Sequence, residues 1–321
     1  MGNSLITGLS IGSNSIHAVV VKPVRQTIQL ITCQEVPIES GLLSDNCTLN
    51  HQKIVNKLKE LRKSLPRFSR KVSLSIAEDL IISKEIQVDN LLIGQERHNA
   101  ILQRFCQKLS LSAEQVYLDY QRITHTNTHS DVNASHYNVY AVKKSVVDDR
   151  CLSLQRAGFH PLLFGLPSDC SAQVWHLFST HFRTRDYFWL DIHDRALYLT
   201  MLMPSGEFYC NTLTAAQEQD EQGAKQNISA LLEQEILALK NIDTGLSLRG
   251  LWITGERSLG SVVADWAKKM ELDCHWVDVP EYLAQGLAQW QSSAPSLLPN
   301  MQALGAAMHA VNWMKAAALD E

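Results

Sequence analysis

The stretch Leu5–Val21 reads LITGLSIGSNSIHAVVV: an apolar lead-in, a tight turn at Gly12-Ser13-Asn14-Ser15, and a β-branched exit. This pattern predicts strand, turn and strand. A second stretch of the same shape, YFWLDIHDRALYLTMLM, spans Tyr187–Met203. Aligning Ser10 with Asp191 matches the two units at an offset of 181 positions (191 − 10). Two such units half a chain apart predict a duplicated architecture with a cleft between the halves.

Length and composition favour a globular chain of two domains. The 321 residues are many for a single core, and 45% hydrophobic with 19% charged residues is typical of folded domains. The net charge of −4 disfavours a nucleic-acid binder, which needs a basic face to neutralise phosphates. One segment, 53–71, is locally basic. Its pattern favours a solvated helix face over a phosphate site; its cations are Lys53, Lys57, Lys59, Arg62, Lys63, Arg67, Arg70 and Lys71.

Cysteine spacing and the chain start indicate a cytoplasmic protein. The 7 cysteines are odd in number and include no C-x-x-C pair, as expected of reduced thiols in a cytosolic protein. No apolar run has the length of a membrane helix, and the first residues lack a secretion signal. The start resembles a myristoylation site, but Ile6 stands where Ser or Thr is required. We therefore expect membrane association only through a partner.

Periodicity predicts alternating strands and helices, which places the chain in the α/β class. In the first half we expect strands at 27–37, 72–76, 80–88, 137–142 and 161–165, and helices at 50–65, 94–109 and 145–157. A further helix, begun by Ser168 as its N-cap, is predicted to run to Phe182. In the second half we expect helices at 217–241, 258–270 and 300–317, and strands at 251–255 and 273–277. Residues 82–158 form a small α/β lobe in this prediction.

Short motifs in a consistent order then relate the chain to a known family. They are Gly8-Leu9-Ser10-Ile11-Gly12-Ser13-Asn14-Ser15, Asp119-Tyr120, Ala157-Gly158-Phe159-His160-Pro161, Leu190-Asp191-Ile192, Glu235, Ile253-Thr254-Gly255 and Ala303-Leu304-Gly305-Ala306-Ala307. With these motifs the chain resembles the PilM/HofM family of type IV pilus assembly and DNA-uptake (competence) machinery. That family is similar to the cell-division protein FtsA. The HofM-like branch looks closer, because the motifs are eroded in a consistent way.

The resemblance implies an actin-like fold, a duplicated ribonuclease H-like architecture of two domains. The first domain would comprise 1–183 plus 295–321, with an FtsA-type inserted lobe at about 82–160. The second domain would comprise 184–294.

The resemblance also implies a nucleotide pocket, and here this chain departs from the family. The family has an Asp at the end of the first strand and a Lys shortly after the turn, where this chain has Ser10 and His17. Ser10 has no charge to organise Mg²⁺, and His17 is shorter than Lys and mostly neutral at pH 7. In the second unit His193 replaces a Gly, and Glu256 replaces the second Gly of a Gly-Gly turn.

The residues that survive predict a vestigial nucleotide site: Gly12, Ser13, Asn14, His17, Asp191, Glu235 and Gly255. We expect a pseudo-ATPase without a catalytic set, while ATP and Mg²⁺ stay open as ligands from the resemblance alone. The residues by themselves also allow plainer roles. The Gly12 turn fits an ordinary hairpin, Asp191 with Asp194 fits turn capping, and Glu235 fits either a cleft or a helix edge. His125, His129 and His136 lack ligand spacing, so no metal site is expected.

Two functions from different classes follow. The first is a scaffold that binds the cytoplasmic N-terminal segment of an inner-membrane partner of the PilN/HofN type, as the resemblance implies. The groove would lie near the junction of the first domain and its lobe, with strands in 72–88 and 137–142 the first to inspect. The alternative is an active actin-like ATPase or phosphotransferase that uses Mg-ATP in the interdomain cleft, with Asp191 as its carboxylate base.

Overall fold

The structure is a computed structural model that describes residues 5–12, 14–24, 27–39, 51–110, 112–123, 134–193, 196–214, 221–243, 245–255, 257–279 and 300–317. The predicted site residues Ser13, Asp194 and Glu256 lie outside this part of the chain, as do His125 and His129.

Strands and helices alternate along the chain, as the periodicity predicts. In order they are β1 (Ile6–Ile11), β2 (Ser15–Val24), β3 (Thr27–Pro37), α1 (His51–Ser64), β4 (Lys71–Ser75), β5 (Ile81–Asp89), α2 (Gly94–Leu109), β6 (Val116–Arg122), β7 (Ala134–Lys143), α3 (Lys144–Arg156), β8 (His160–Gly165), α4 (Pro167–Phe182), β9 (Tyr187–His193), β10 (Ala196–Leu202), β11 (Phe208–Thr214), α5 (Glu221–Ile242), β12 (Gly250–Gly255), α6 (Gly260–Lys269), β13 (Asp273–Trp276) and α7 (Met301–Ala317).

Two five-stranded sheets share one topology. The first has the strand order β3-β2-β1-β4-β8 and the second β11-β10-β9-β12-β13. In each, two antiparallel pairs are followed by two parallel pairs. Ser10 pairs with His17 and Ser75 in the first sheet, and Asp191 pairs with Tyr198 and Thr254 in the second. The offset of 181 positions found in the sequence is therefore confirmed as a structural duplication.

Both faces of each five-stranded sheet are buried. On β2, Ile16 and Val20 point into an outer core with α1 and α3, whereas Val19 and Val21 point into a central core. A matching outer core joins the second sheet to α5 and α6. Burial on both faces explains why the strand at Ile16 is a nearly continuous apolar run rather than an alternating one.

The helices α4 and α7 pack against each other between the two sheets. Helix α7 lies on β1, β2 and β4, and α4 lies on β9, β10 and β11. The packing is close on both sides of α7. A Cβ on Gly305 would lie 2.1 Å from the Cys170 carbonyl oxygen of α4, and a Cβ on Gly8 of β1 would lie 1.8 Å from the Ala303 carbonyl oxygen of α7. The small residues predicted for the last helix are what permit this packing.

The third sheet, β5-β7-β6, forms a separate small unit with α2 and its own core. Its strands span 81–143, between β4 and β8, and so lie at the position of the predicted lobe. The domain boundaries themselves stay a prediction.

One predicted cap is wrong. Helix α4 begins at Pro167, and its N-cap is Leu166, which makes no side-chain capping hydrogen bond. Ser168 is therefore the second residue of the helix. Pro167 suits the first helical position because its missing N–H has no partner there in any case, and it moves the start ahead of the hydroxyl.

The described helices include none that is both long and apolar enough to cross a membrane.

Candidate functional site

The carboxyl ends of the parallel strands meet at the start of α7. Ser75, the last residue of β4, lies 3.4 Å from Gln302 through Ser75 Oγ and Gln302 Oε1. Met301 lines a cavity together with Thr254 and Gly255 at the end of β12. Crevices at the carboxyl ends of parallel strands are the usual ligand sites of open α/β sheets. This region is therefore the candidate site.

Asp191 is the buried acid of the site. Its Oδ1 accepts a 2.5 Å hydrogen bond from the Thr254 hydroxyl, and Thr254 Oγ1 in turn accepts a 2.8 Å bond from Trp189 Nε1. Its Oδ2 lies 3.2 Å from His193 Nε2. One carboxylate oxygen is thus hydrogen-bonded inside the protein, and the other lies beside an imidazole nitrogen. A buried acid held in this way is positioned by the fold, whatever it binds.

The first hairpin carries no carboxylate at the position equivalent to Asp191. Ser10 faces Ser75 and His17 across the sheet, at the register positions that Asp191, Thr254 and Tyr198 occupy in the second sheet. His17 Nε2 lies 2.7 Å from Ser15 Oγ. The imidazole is thus tied to its own hairpin, so it does not replace a lysine that extends toward a phosphate.

The turn of the first hairpin is closed by the backbone. Gly12 N–H donates to the Ser15 carbonyl at 2.9 Å, and the Asn14 carbonyl accepts from Ile38 N–H at 2.8 Å. Gly12 and Asn14 are exposed. An N–H that bonds within the turn is not available to a phosphate, so for Gly12 the hydrogen bonding agrees with the plain hairpin.

The turn after β12 requires glycine. Gly255 has φ of +94°, and a Cβ there would lie 2.1 Å from the Ile192 carbonyl oxygen on β9. Asp191 and Gly255 therefore come together on neighbouring strands, as the prediction of a common site requires. The survival of Gly255 has a packing cause independent of any nucleotide.

Indole and guanidinium groups narrow the cavity beside Gly255. Arg257 lies over the Trp276 ring, 5.7 Å from its centroid. A Cβ on Gly260 would lie 2.0 Å from Trp276 Cζ2, so the ring rests on the start of α6. The open space is about 30 Å³. Pockets for small ligands usually have about 300–1,000 Å³.

Glu235 lies apart from these residues, on α5. Its Oε1 accepts hydrogen bonds from Tyr209 OH at 2.5 Å and from Asn211 Nδ2 at 2.7 Å. Both donors belong to β11, the edge strand, which is two strands away from β9. Burial raises the pKa of Tyr209 to about 12, and the hydrogen bond to Glu235 adds to this effect. These bonds explain an acid among the apolar residues of α5 without a nucleotide.

The described residues do not fit Mg-ATP well. Ser10 is neutral where the resemblance requires a carboxylate, and Asp191 already accepts a hydrogen bond from Thr254 and lies beside His193. Mg²⁺ is held through carboxylates and phosphates in nucleotide sites, so a serine and an occupied carboxylate form a poor donor set. Within the described ranges, no group of three or more His, Cys, Asp or Glu side chains is placed to hold a metal.

Carboxyl groups from several parts of the chain act on the region where the third sheet comes near α4. Asp169 lies in the first turn of α4; burial raises the pKa of its carboxyl, His309 counteracts this shift, and Asp119 on β6 adds to it. The pKa of Tyr140 on β7 is raised by burial and by the charges of Asp169 and Glu207. Carboxylates from three parts of the chain thus act on one region, which suits a cationic partner.

Sequence reasoning missed the role of Thr254 and the ring of Trp276. Thr254 stands in a motif, Ile253-Thr254-Gly255, but its hydrogen bond needs the register of two strands that are 63 residues apart. No local signal carries that register. Trp276 is the last residue of the short strand β13 and looks like any core aromatic residue in the sequence.

Known proteins resemble this chain in sequence and fold. The family model described as type IV pilus assembly protein PilM matches residues 8–183. A chain of the PilM-PilN type IV pilus biogenesis complex is similar with a TM-score of 0.66 and 17% identity, over 97% of this chain and 99% of that chain. Diol dehydratase-reactivating factor in its nucleotide-free form has a TM-score of 0.53 and 7% identity, over 97% and 100%. No match is found among curated protein sequences.

These likenesses concern the fold, since both identities are low. With the duplicated strand order, they confirm the predicted actin-like α/β architecture.

Proposed function

This chain belongs to the family of the type IV pilus assembly protein PilM, and on that premise we propose that it is a scaffold of a pilus-like or DNA-uptake machine. It acts in the cytoplasm and binds the short N-terminal segment of an inner-membrane partner of the PilN or HofN type. The match over residues 8–183 carries the proposal. The similar fold in the PilM-PilN complex supports it. Assignment to the HofM-like branch belongs to the same proposal and rests on the eroded motifs.

The nucleotide pocket is degenerate in this proposal. The support is the contrast between Ser10 and Asp191, which hold the same register position in the two sheets but only one of which is charged. Phosphoryl transfer depends on positioned charges around Mg²⁺ and phosphate. A protein that lacks these charged groups in one of its two sheets retains the two-sheet body and uses it for binding another protein.

The partner segment docks where the third sheet meets the first. The exposed acids Asp119, which pairs with Tyr140 across β6 and β7, and Glu207, which acts on the same tyrosine, support this position and predict that the segment is basic. A basic segment would be attracted by these charges and oriented by them. The free edge of β5, an outer strand of the third sheet, would supply backbone hydrogen bonds for an extended peptide. Strand β7, which the sequence also suggested, lies in the middle of that sheet and is paired on both sides, so it offers no edge.

The test is a binding titration with a labelled synthetic peptide of the partner's N-terminal segment. We expect micromolar binding by fluorescence anisotropy, weakened at least about tenfold in a double variant, Asp119→Lys with Glu207→Lys, because like charges then face the peptide. Both residues are exposed, so folding should be preserved. Glu96→Lys, an exposed change on α2 of the same unit, is the control and should bind as the wild type does. No binding at high micromolar peptide would refute the scaffold function.

A further inference from the structure

Basic side chains collect at one end of the first sheet, where β4 and β8 begin. Lys71 starts β4 and pairs with His160, the first residue of β8. The last turns of α1 and α3 end near these strand starts. We call this surface the basic end; its residues are Lys63, Arg67, Phe68, Arg70, Lys71 and Arg156, and all six are exposed.

Charge is strongly segregated along the chain. Residues 61–77 contain five Lys or Arg and no Asp or Glu, so the remaining residues have 24 basic (29 − 5) against 33 acidic side chains, a net charge of −9. Two cations earlier on α1 differ from those of the basic end because they form ion pairs: Lys53 lies 3.5 Å from Glu39, and Lys57 lies 3.3 Å from Glu60. Those two residues fit the solvated helix face predicted from sequence, and they are not part of the basic end. For Arg67, Arg70 and Lys71 the predicted helix face is wrong, because α1 ends at Ser64 and these residues lie beyond it.

Phe68 projects from the middle of the basic end. Its side chain is 77% exposed, next to Arg67 and two residues from Arg70. The turn that carries it is firmly built. Ser69 donates twice to the Pro66 carbonyl, from N–H at 3.1 Å and from Oγ at 2.7 Å.

The same turn is anchored to the body of the protein. The buried Thr7 hydroxyl on β1 donates to the Ser69 carbonyl at 2.9 Å. Arg62 donates to the carbonyls of Pro66 and Arg67 at 3.1 and 2.6 Å, and its guanidinium lies over the Phe159 ring at 5.8 Å. Burying the apolar ring of Phe68 would be favourable, but these contacts fix the turn so that the ring stays exposed. The exposure of Phe68 is therefore a property of the fold.

We propose that the basic end binds a membrane surface rich in anionic lipid headgroups. The cations neutralise headgroup phosphates, and Phe68 inserts its ring at the boundary between headgroups and acyl chains. Each Lys or Arg near an anionic leaflet adds electrostatic attraction, and an aromatic ring adds apolar burial at the interface. This surface is separate from the peptide-binding junction, and the inference does not depend on the proposed partner.

A nucleic acid is the other polyanion that cations attract, and the surface fits it less well. Single-stranded nucleic acids are held in a basic groove with several aromatic residues on which bases stack. Here one exposed ring stands at the end of a sheet, so the surface lacks the series of stacking rings that a nucleic acid requires.

The test uses the full chain and vesicles, with no partner peptide. We expect the protein to sediment with phosphatidylcholine vesicles that contain phosphatidylglycerol and not with phosphatidylcholine alone. Raising salt from about 0.1 M to about 1 M shortens the Debye length from about 10 Å to about 3 Å and should release it. Arg67→Glu with Arg70→Glu should lower vesicle affinity at least about tenfold. Phe68→Ser should lower it about fivefold and keep the salt dependence.

A matched control is Lys268→Glu with Lys269→Glu, which makes the same change in net charge at exposed positions of α6. It should bind vesicles as the wild type does, and all variants should share the wild-type thermal transition because Arg62 is untouched. The proposal is overturned if the wild type does not bind anionic vesicles, if the control loses as much affinity as Arg67→Glu with Arg70→Glu, or if Phe68→Ser binds like the wild type. A DNA oligonucleotide bound through Arg67 and Arg70 in the absence of vesicle binding would likewise overturn it.

Discussion

The Thr254 hydroxyl donates a 2.5 Å hydrogen bond to Asp191 Oδ1 across the parallel pair β9 and β12. Trp189 Nε1 donates to the same hydroxyl oxygen, so an indole, a hydroxyl and a carboxylate form one buried chain. In the first sheet the corresponding positions are Ser10 and Ser75. One half of the duplicated body has kept a buried acid with its support, and the other half has only hydroxyls.

Replacing Thr254 by valine should destabilise the protein by about 1–3 kcal/mol, because buried Asp191 loses a donor and Trp189 loses its acceptor at nearly constant volume. Urea unfolding followed by tryptophan fluorescence measures the change. Ser75→Ala is the control at the equivalent position; its hydroxyl has a long 3.4 Å contact to Gln302 and a hydrogen bond with the Cys170 thiol, a weak partner, so we expect less than about 1 kcal/mol. Equal stability of Thr254→Val and wild type would show that the chain of hydrogen bonds has no energetic role.

Gly305→Ala should destabilise the protein, although alanine is favoured over glycine inside a helix by about 1 kcal/mol. The added Cβ would lie 2.1 Å from the Cys170 carbonyl oxygen, so α4 and α7 must separate, and overpacking of this kind costs about 1–3 kcal/mol. Gly12→Ala is the control, since its Cβ would approach nothing nearer than 3.5 Å. A thermal midpoint for Gly305→Ala at or above that of the wild type would contradict the close packing.

Tyr209 should make stability fall at high pH. Burial, and then the hydrogen bond to Glu235, raise the pKa of Tyr209 above its ordinary value, to about 12. The folded state therefore holds the phenol proton more tightly than the unfolded chain. The resulting stability is full below about pH 10 and is lost as pH rises toward about 12. Unfolding free energies measured across this window should decline less steeply for Tyr209→Phe, and identical slopes would disprove the raised pKa.

Mg-ATP should bind the wild type weakly or not at all by calorimetry, and Ser10→Asp with His17→Lys should gain affinity. The double change restores a carboxylate and an ammonium at paired positions of β1 and β2, where Mg²⁺ and phosphate need charge. Asp191→Ala is the companion variant. Tight ATP binding by the wild type that is lost in Asp191→Ala, with phosphate release, would instead support the ATPase alternative.

Local patterns were enough to predict most elements. The helix 94–109 and the strand 27–37 have the bounds that the sequence predicts, because side-chain periodicity and terminating residues act within a few positions. Helix α4 differs at its start, where Pro167 outweighs the hydroxyl of Ser168. The site was predicted less completely. Asp191 and Gly255 do come together, whereas Glu235 is held by β11 and Gly12 bonds within its own turn.

The amino-acid sequence by itself determined the two strand–turn–strand units, their offset of 181 positions and the loss of charge at Ser10, since each depends on residues close together in the chain. Only the tertiary structure decided that Thr254 supports Asp191, that α4 and α7 pack between the sheets, and that Phe68 stands exposed among cations. The first two relations join segments far apart in the chain, and the exposure of Phe68 depends on how its turn is anchored to the rest of the protein. Strand register and helix packing set them, and neither leaves a trace in local periodicity.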